Sequence, residues 1–194
     1  MKVCDNGGKG FNLEPGIYEA VCFGLIDIGT QHGEYQGQEK VRHQVIMKFE
    51  LLEEHYNDDT GTHRMQFAQF YTLSLHEKAM LRKHLIGWRG REFTAEELKG
   101  FELKNILGKN CLLVIGSSPS GKSVIESISK FKKDSVEPER DLEYFSFDDF
   151  DETFPSWMSD GIKGLCMKSD EYSQISRKTP VAIDEPEEED NIPF

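Results

Sequence analysis

Residues 112–128 read LLVIGSSPSGKSVIESI, and GSSPSGKS at 116–123 satisfies the phosphate-cradling pattern G-x-x-x-x-G-K-[ST] behind a short apolar run. Two structures compete for this stretch. A phosphate-binding loop needs a parallel sheet, a helix opening at its Lys-Ser pair, and a later strand ending in a magnesium-binding Asp. Val124, Ile128 and Phe131 do fit the i, i+4, i+7 spacing of such a helix. The setting fails. Only 71 residues follow Ser123, without the β-α-β alternation that parallel strands require. The apolar run that ends in acid, VAIDE at 181–185, sits beside a polar tail. The stretch therefore reads as a hairpin: a strand NCLLVI, a turn built from Pro119, Gly121 and the serines, and a fifth strand SVIESISKF.

Upstream, GIYEAVCFGLIDIG at 16–29 reads as a long strand with Gly24 at a bulge, followed by a Gly/Gln loop at 29–39. KVRHQVIMKFELL at 40–52 alternates. Val41, Val45, Met47, Phe49 and Leu51 share one face, opposite Arg42, Gln44, Lys48 and Glu50. His43 falls on the apolar side and reads as a satisfied core residue. After a polar turn at 55–63, Met65, Phe67, Tyr71 and Leu73 alternate with Arg64, Gln66, Ala68, Phe70 and Thr72. Ser74 with Glu77 forms a capping-box signature for a helix through Trp88, with Leu81, Leu85 and Trp88 as its buried stripe and His76 and His84 on its surface. Thr94 with Glu97 forms a second box, followed by short helical or irregular structure. Three strands, a helix and two strands is the order of an OB-fold, a five-stranded Greek-key barrel that binds oligonucleotides over strands 2 and 3, between loops 1–2 and 4–5. The expectation is a mostly β chain with this barrel at 15–140, behind a flexible 1–14.

The composition, 37% hydrophobic and 30% charged, contains no apolar run of membrane-spanning length and no apolar leader segment. Cys4, Cys22, Cys111 and Cys166 are scattered without a C-x-x-C, which points to a reducing cytoplasm with Cys22 and Cys111 as buried small hydrophobes. No metal or cofactor is expected, and no enzymatic activity. The net charge of −12 is localised. Residues 1–140 carry 19 Lys and Arg against 20 Asp and Glu, whereas 141–194 carry 4 against 15. The acidic, aromatic stretch at 141–172 reads as an extension packed on the barrel through Phe145, Phe147, Phe150 and Phe154, its later half one amphipathic helix. Residues 173–194 read as a linker and a disordered acidic tail.

Single-strand binding needs cations for phosphates and aromatic faces for bases. The outward face of strands 2 and 3 offers Arg42, Lys48 and Arg64, with Gln44 and Gln66 as hydrogen-bonding groups and Phe70 as the best-placed stacker. Tyr35 and Lys40 come from loop 1–2, and Lys122 from loop 4–5. A second basic cluster, Lys78, Arg82, Lys83, Arg89 and Arg91, reads as a solvated helix face, with a phosphate track as its alternative. Trp88 reads as core. Two rival functions stay in view: a small P-loop NTPase using 116–123, and an acidic adaptor or DNA mimic using FSFDDFDETF at 145–154. Composition leaves a homodimer open.

The last eight residues, EEEDNIPF, place acids before an Ile-Pro-Phe tip. Ile192 and Phe194 can enter a small apolar pocket while Glu188, Glu189 and Asp190 meet a basic rim, and Pro193 reduces the entropy lost on docking. This tip resembles that of bacterial and phage single-stranded DNA-binding proteins, although Glu187 to Asn191 replaces the usual aspartate run. PGIYEAVCFGLIDIGTQ at 15–31, the stretch 71–113 from YTLSLHEKAML to GKNCLL, and FSFDDFDETFPSW at 145–157 resemble the phage and prophage members with an OB-fold. The resemblance implies binding of single-stranded DNA with little sequence preference during phage replication or recombination in a bacterial cytoplasm. It also implies recruitment of replication or repair proteins by the tip.

Overall fold

The computed structural model describes residues 12–35 and 37–178. Strands β1 (Gly16–Tyr35), β2 (Gln38–Asp58), β3 (Gly61–Thr72), β4 (Asn110–Ser117) and β5 (Ser123–Lys130) form an antiparallel path in the order β3-β2-β1-β4-β5. A short β6 (Glu143–Phe145) adds parallel to β1 at Gly24–Ile26. Gly16 to Val21 of β1 pair with β4, and Ala20 to Tyr35 pair with β2, so β1 is the common spine.

The strands are longer than the sequence pattern indicates. Residues 29–39 are not a loop: the β1–β2 ladder continues from Thr30↔His43 to Tyr35↔Gln38, turning beside Gly37 with φ 74°. Gly29, at φ 70°, sits at a register shift and so bends the strand instead of ending it. The second hairpin likewise runs through 55–63, closing where Asp58 Oδ1 accepts the Thr60 amide at 2.8 Å. The expected bulge near Gly24 is present, the register shifting between Cys22 and Gly24.

Helix α1 (Met80–Arg89) begins six residues later than Ser74. Ser74 Oγ accepts the His76 amide at 3.1 Å in a local turn, and Ala79 occupies the N-cap. Thr94 and Glu97 do form their reciprocal box, at 3.0 and 3.2 Å, on a turn and not on a helix. Among the described residues no ladder joins β3 to β5, and the sheet is not closed. The helix spans that seam. His84, expected at the surface, is 2% exposed. Its Nε2 donates to the Glu126 carbonyl at 3.2 Å and its Nδ1 lies 2.9 Å from the Tyr71 hydroxyl, while burial lowers the ring's pKa and so favours the neutral form.

Both faces of the β1–β2 ribbon are buried. Ala20, Cys22, Val45, Met47, Phe49 and Leu51 enter the main core with Leu85, Trp88, Leu113 and Ile128. Ile26, Ile28 and Ile46, on the opposite face, lie under Phe145, Phe147, Met158 and Cys166. Phe145, Phe147, Phe150 and Phe154 touch one another at centroid distances of 4.8–5.7 Å, so the acidic stretch is fastened by its rings while Asp148, Asp149 and Asp151 face outward. The expected single helix is two, α2 (Asp160–Cys166) and α3 (Asp170–Lys178). Buried Ser169 separates them, its Oγ accepting the Tyr172 amide at 3.1 Å. Residues 173–178, read from sequence as linker, complete α3. No helix among the described residues is long and apolar enough to cross a membrane.

Candidate nucleic-acid interface

Cross-strand partners share a face, so Gln44, Ile46, Lys48 and Glu50 on β2 stand beside Thr72, Phe70, Ala68 and Gln66 on β3. This outer face was expected to be open. A strap, residues 137–143, covers one end of it. The Glu50 carboxylate is 0% exposed and accepts the strap amides of Glu139 and Arg140 at 2.8 and 2.9 Å. Arg64 Nη1 and Arg140 Nε approach the same carboxylate at 3.7 and 3.9 Å. Arg64 also meets Glu139 at 3.1 Å and donates to the Glu137 carbonyl at 3.0 Å. With its amide oxygen turned toward Arg140, Gln66 accepts from that guanidinium at 2.7 and 2.8 Å. Lys48 pairs with Glu143 at 2.6 Å and lies over the Phe23 ring. The side chains of Lys48 and Arg64 are each 17% exposed. Their charges are met inside the chain, while Gln66 stays exposed with its amide oxygen on Arg140. Glu143, at the start of the acidic C-terminal segment, meets Lys48, whereas Arg64 is met by Glu50 and Glu139 from the nearly neutral body.

The other end stays open. Lys40, Arg42 and Gln44 line a groove of about 270 Å³ with Gln31, His32 and Glu34, where the long β1–β2 ribbon leaves the core. No acid among the described residues pairs with Lys40 or Arg42. Phe70 is 47% exposed and stands opposite Ile46, one pleat from Gln44 and Thr72. Helix α3 borders this groove. Glu171 accepts the amide and hydroxyl of Thr30 at 2.6 and 2.7 Å, and His32 bridges Asp170 and Glu39 at 3.0 Å. The contact depends on Gly29, where an added Cβ would lie 2.5 Å from Glu171 Oε2 and 2.6 Å from Ser169 Cβ. Thr30, with its hydrogen bonds, holds the Glu171 carboxyl below its ordinary range against the opposing effect of desolvation. His43 bonds Asp27 at 2.7 Å and faces Glu171 at 3.5 Å, and the Asp27 hydrogen bond raises its pKa. It is satisfied, as expected, but as a half-buried clamp between β2, β1 and α3 and not as a core residue.

Lys122 is exposed in the turn between antiparallel β4 and β5, at the far end of the strand order from β3. Ser118 closes that turn, its carbonyl accepting Gly121 N and its Oγ accepting Lys122 N. Strand β5, and no helix, follows the Lys-Ser pair, so the surroundings of a phosphate-binding loop are missing there. Tyr35 ends β1 opposite Gln38, its side chain outside the described part of the structure. In the second basic cluster, Arg89 and Arg91 are held by Glu97, which Arg91 pulls down to a pKa of about 2. Trp88 is core and donates to the Asn110 carbonyl at 2.8 Å. Glu188, Glu189, Asp190, Ile192, Pro193 and Phe194 lie outside the described residues. Among those described, no cluster of three His, Cys, Asp or Glu could hold a metal.

Sequence reasoning missed Glu50, Glu139, Arg140 and Glu143 as the groups that decide which cations remain free. The available signal was a carboxylate in the middle of a strand otherwise headed for burial. No family model, curated protein or solved structure matches the chain.

Proposed function

We propose that the chain is a single-stranded DNA-binding protein on an OB-fold, and that the nucleic acid crosses the uncovered end of the β2–β3 outer face. The observation that carries this reading is an exposed Phe70 ring on the same outer face as a groove whose cations, Lys40 and Arg42, have no acid partner among the described residues. Phosphates meet the two cations, Gln44 offers both a donor and an acceptor, and a base stacks on Phe70 for about 1–3 kcal/mol whatever its identity. Such a site acts by position and charge, without turnover. The strand order, with β1 shared between β2 and β4 and a helix at the seam of an incompletely closed sheet, supports the OB-fold.

The resemblance of the middle segment and of the Ile-Pro-Phe tip adds the biological setting: coating of single strands in phage replication or recombination in the host cytoplasm, with residues 188–194 recruiting replication or repair proteins. The test is an anisotropy titration of labelled oligo-dT. It should show tight binding, weak binding to duplex, and a log–log salt slope of about −0.7 per phosphate neutralised, with ATP and magnesium without effect. Absence of oligo-dT affinity at low salt would end the proposal.

A further inference from the structure

Residues 130–133 read KFKK, one phenylalanine among three lysines, where β5 ends. Phe131 is half-buried, yet it belongs to neither core cluster, and no other ring or cation of the described residues stacks on it. It lines a concavity of about 510 Å³, within the ~300–1,000 Å³ usual for ligand sites, formed where α1 ends, β4 begins and β5 ends. Phe101, in the same lining, is already held: Phe93 meets it edge-on at 5.2 Å, and the Arg89 guanidinium lies 5.0 Å from its centroid. Part of the charge is paired as well. Arg89 and Arg91 share Glu97, and Lys133 pairs with Glu19. Lys109 and Lys130 in the lining, and Lys132 beside it, are exposed and have no acid partner among the described residues. The polar groups divide in the same way. Asn110 is taken, its side-chain amide bonding the Val136 carbonyl and N–H at 3.0 Å each. Asn105 and Ser135 are exposed, and their side chains make no hydrogen bond among the described residues.

An unstacked ring, unpaired cations, and a free amide and hydroxyl are what one nucleotide needs: a face for the base, charge for its phosphates and partners for its edge. We propose that this concavity is a second nucleotide site, in which a base stacks on Phe131, the flanking phosphates meet Lys109 and Lys130, and Asn105 and Ser135 bond the base edge. On the reading of the chain as a single-strand binder, on which this rests, one strand fills both sites in turn. The two sites are well separated. Gln31 lines the Lys40–Arg42 groove, and Cys22, nine residues earlier on β1, bonds the backbone of Gly108 and Lys109 at the edge of the concavity. Nine residues of strand span about 30 Å at ~3.3 Å each. A strand on the order of ten nucleotides, at a stacked spacing of ~3.4 Å, reaches from one to the other.

The test is photocrosslinking of the full-length chain to an oligo-dT longer than that, with 5-iododeoxyuridine in place of thymidine, because iodouracil couples on irradiation to an aromatic ring stacked on it. Peptide mapping should find Phe131 coupled in addition to Phe70. At saturating protein, Lys109→Glu with Lys130→Glu should cut the Phe131 adduct roughly tenfold, leave the Phe70 adduct within about twofold, and reduce the magnitude of the log–log salt slope by about 1.4. Phe131→Ala should weaken oligo-dT binding by about fivefold or more with circular dichroism unchanged, since the ring lies outside both core clusters. Tight binding with an adduct at Phe70 alone, or an unchanged salt slope in the lysine variant, would overturn the second site and leave the first standing. Absence of oligo-dT binding would end both. Loss of the Phe131 adduct on adding thymidine monophosphate, with the Phe70 adduct intact, would assign the concavity to a free nucleotide and overturn its place on the strand.

Discussion

Glu50→Ala tests the strap. The Glu50 carboxylate is wholly buried and receives two backbone amides, at 2.8 and 2.9 Å, and two guanidinium groups, at 3.7 and 3.9 Å. Truncation leaves two backbone amides without their acceptor and removes the buried counter-charge beside Arg140 and Arg64, although Arg64 keeps Glu139 at 3.1 Å. Breaking one side of a buried ion pair costs about 3–5 kcal/mol. The strap lies at the surface and can lift to rehydrate its amides, which places the expected loss at the lower end, about 3 kcal/mol. For a chain of this size, with about 2–4 °C per kcal/mol, Tm should fall by about 6–12 °C. Glu50→Gln keeps one acceptor but no charge and should fall between. Calorimetry reads the stability, and hydrogen exchange at the Glu139 and Arg140 amides reads the mechanism. Both amides should lose protection before the strands do. A Glu50→Ala variant within about 0.5 kcal/mol of the parent, or one destabilised with those two amides still protected, would refute the strap account.

Phe70→Ala should weaken oligo-dT binding roughly 5- to 150-fold, the equivalent of about 1–3 kcal/mol of stacking, whereas Lys48→Ala should change it by less than about threefold because that charge is already paired; anisotropy titrations compare the two. Gly24→Ala should destabilise the sheet, since the new Cβ would lie 2.9 Å from Lys48 Cβ, and denaturant titration should show a lower midpoint. The two bridging histidines should respond to pH in opposite directions. Asp27 raises the His43 pKa, so the clamp on α3 is complete below the ordinary value of 6.5 and weakens as pH rises through the higher folded value, read as faster exchange of α3 amides; Asp27, Glu171 and Asp148 are the charges that act on it. Burial lowers the His84 pKa, so its contribution is complete above 6.5 and is lost as pH falls toward the depressed folded value, read as a falling Tm with opening at the α1–β5 seam. Burial pushes the Cys22 and Cys166 thiols up to about 12 and raises Cys111, so none of the three should be alkylated in the native protein, as peptide mapping after iodoacetamide would check.

Local pattern carried five of the six strands and the nature of the 116–123 turn, and missed the short β6 that the acidic extension adds beside β1. Period-two alternation and the missing crossovers are properties of short windows and of chain length, and both can be read without coordinates. The same is true of the phenylalanines at 145–154, whose burial follows from their number in a stretch otherwise too acidic to hold itself together. Where the β1–β2 hairpin turns was not legible. Gly29 and Gly33 look like loop residues by composition, yet cross-strand pairing on both sides keeps the ribbon going past them. His84 looked like a surface residue because its burial depends on β3 and β5 closing around α1 from 13 and 42 positions away.

The sequence by itself determined a mostly β chain with a nearly neutral body, an acidic end and a set of cations and aromatics along strands 2 and 3. Only the tertiary structure decided which of those cations are free. Lys48 and Arg64 are met by Glu143 and Glu139, 95 and 75 residues downstream, whereas Lys40 and Arg42 lie beyond the strap and stay unpaired among the described residues, on the face that carries exposed Phe70. The physical reason is that alternation sets the face a side chain points to, while the charge it meets there is set by whichever distant segment folds over it.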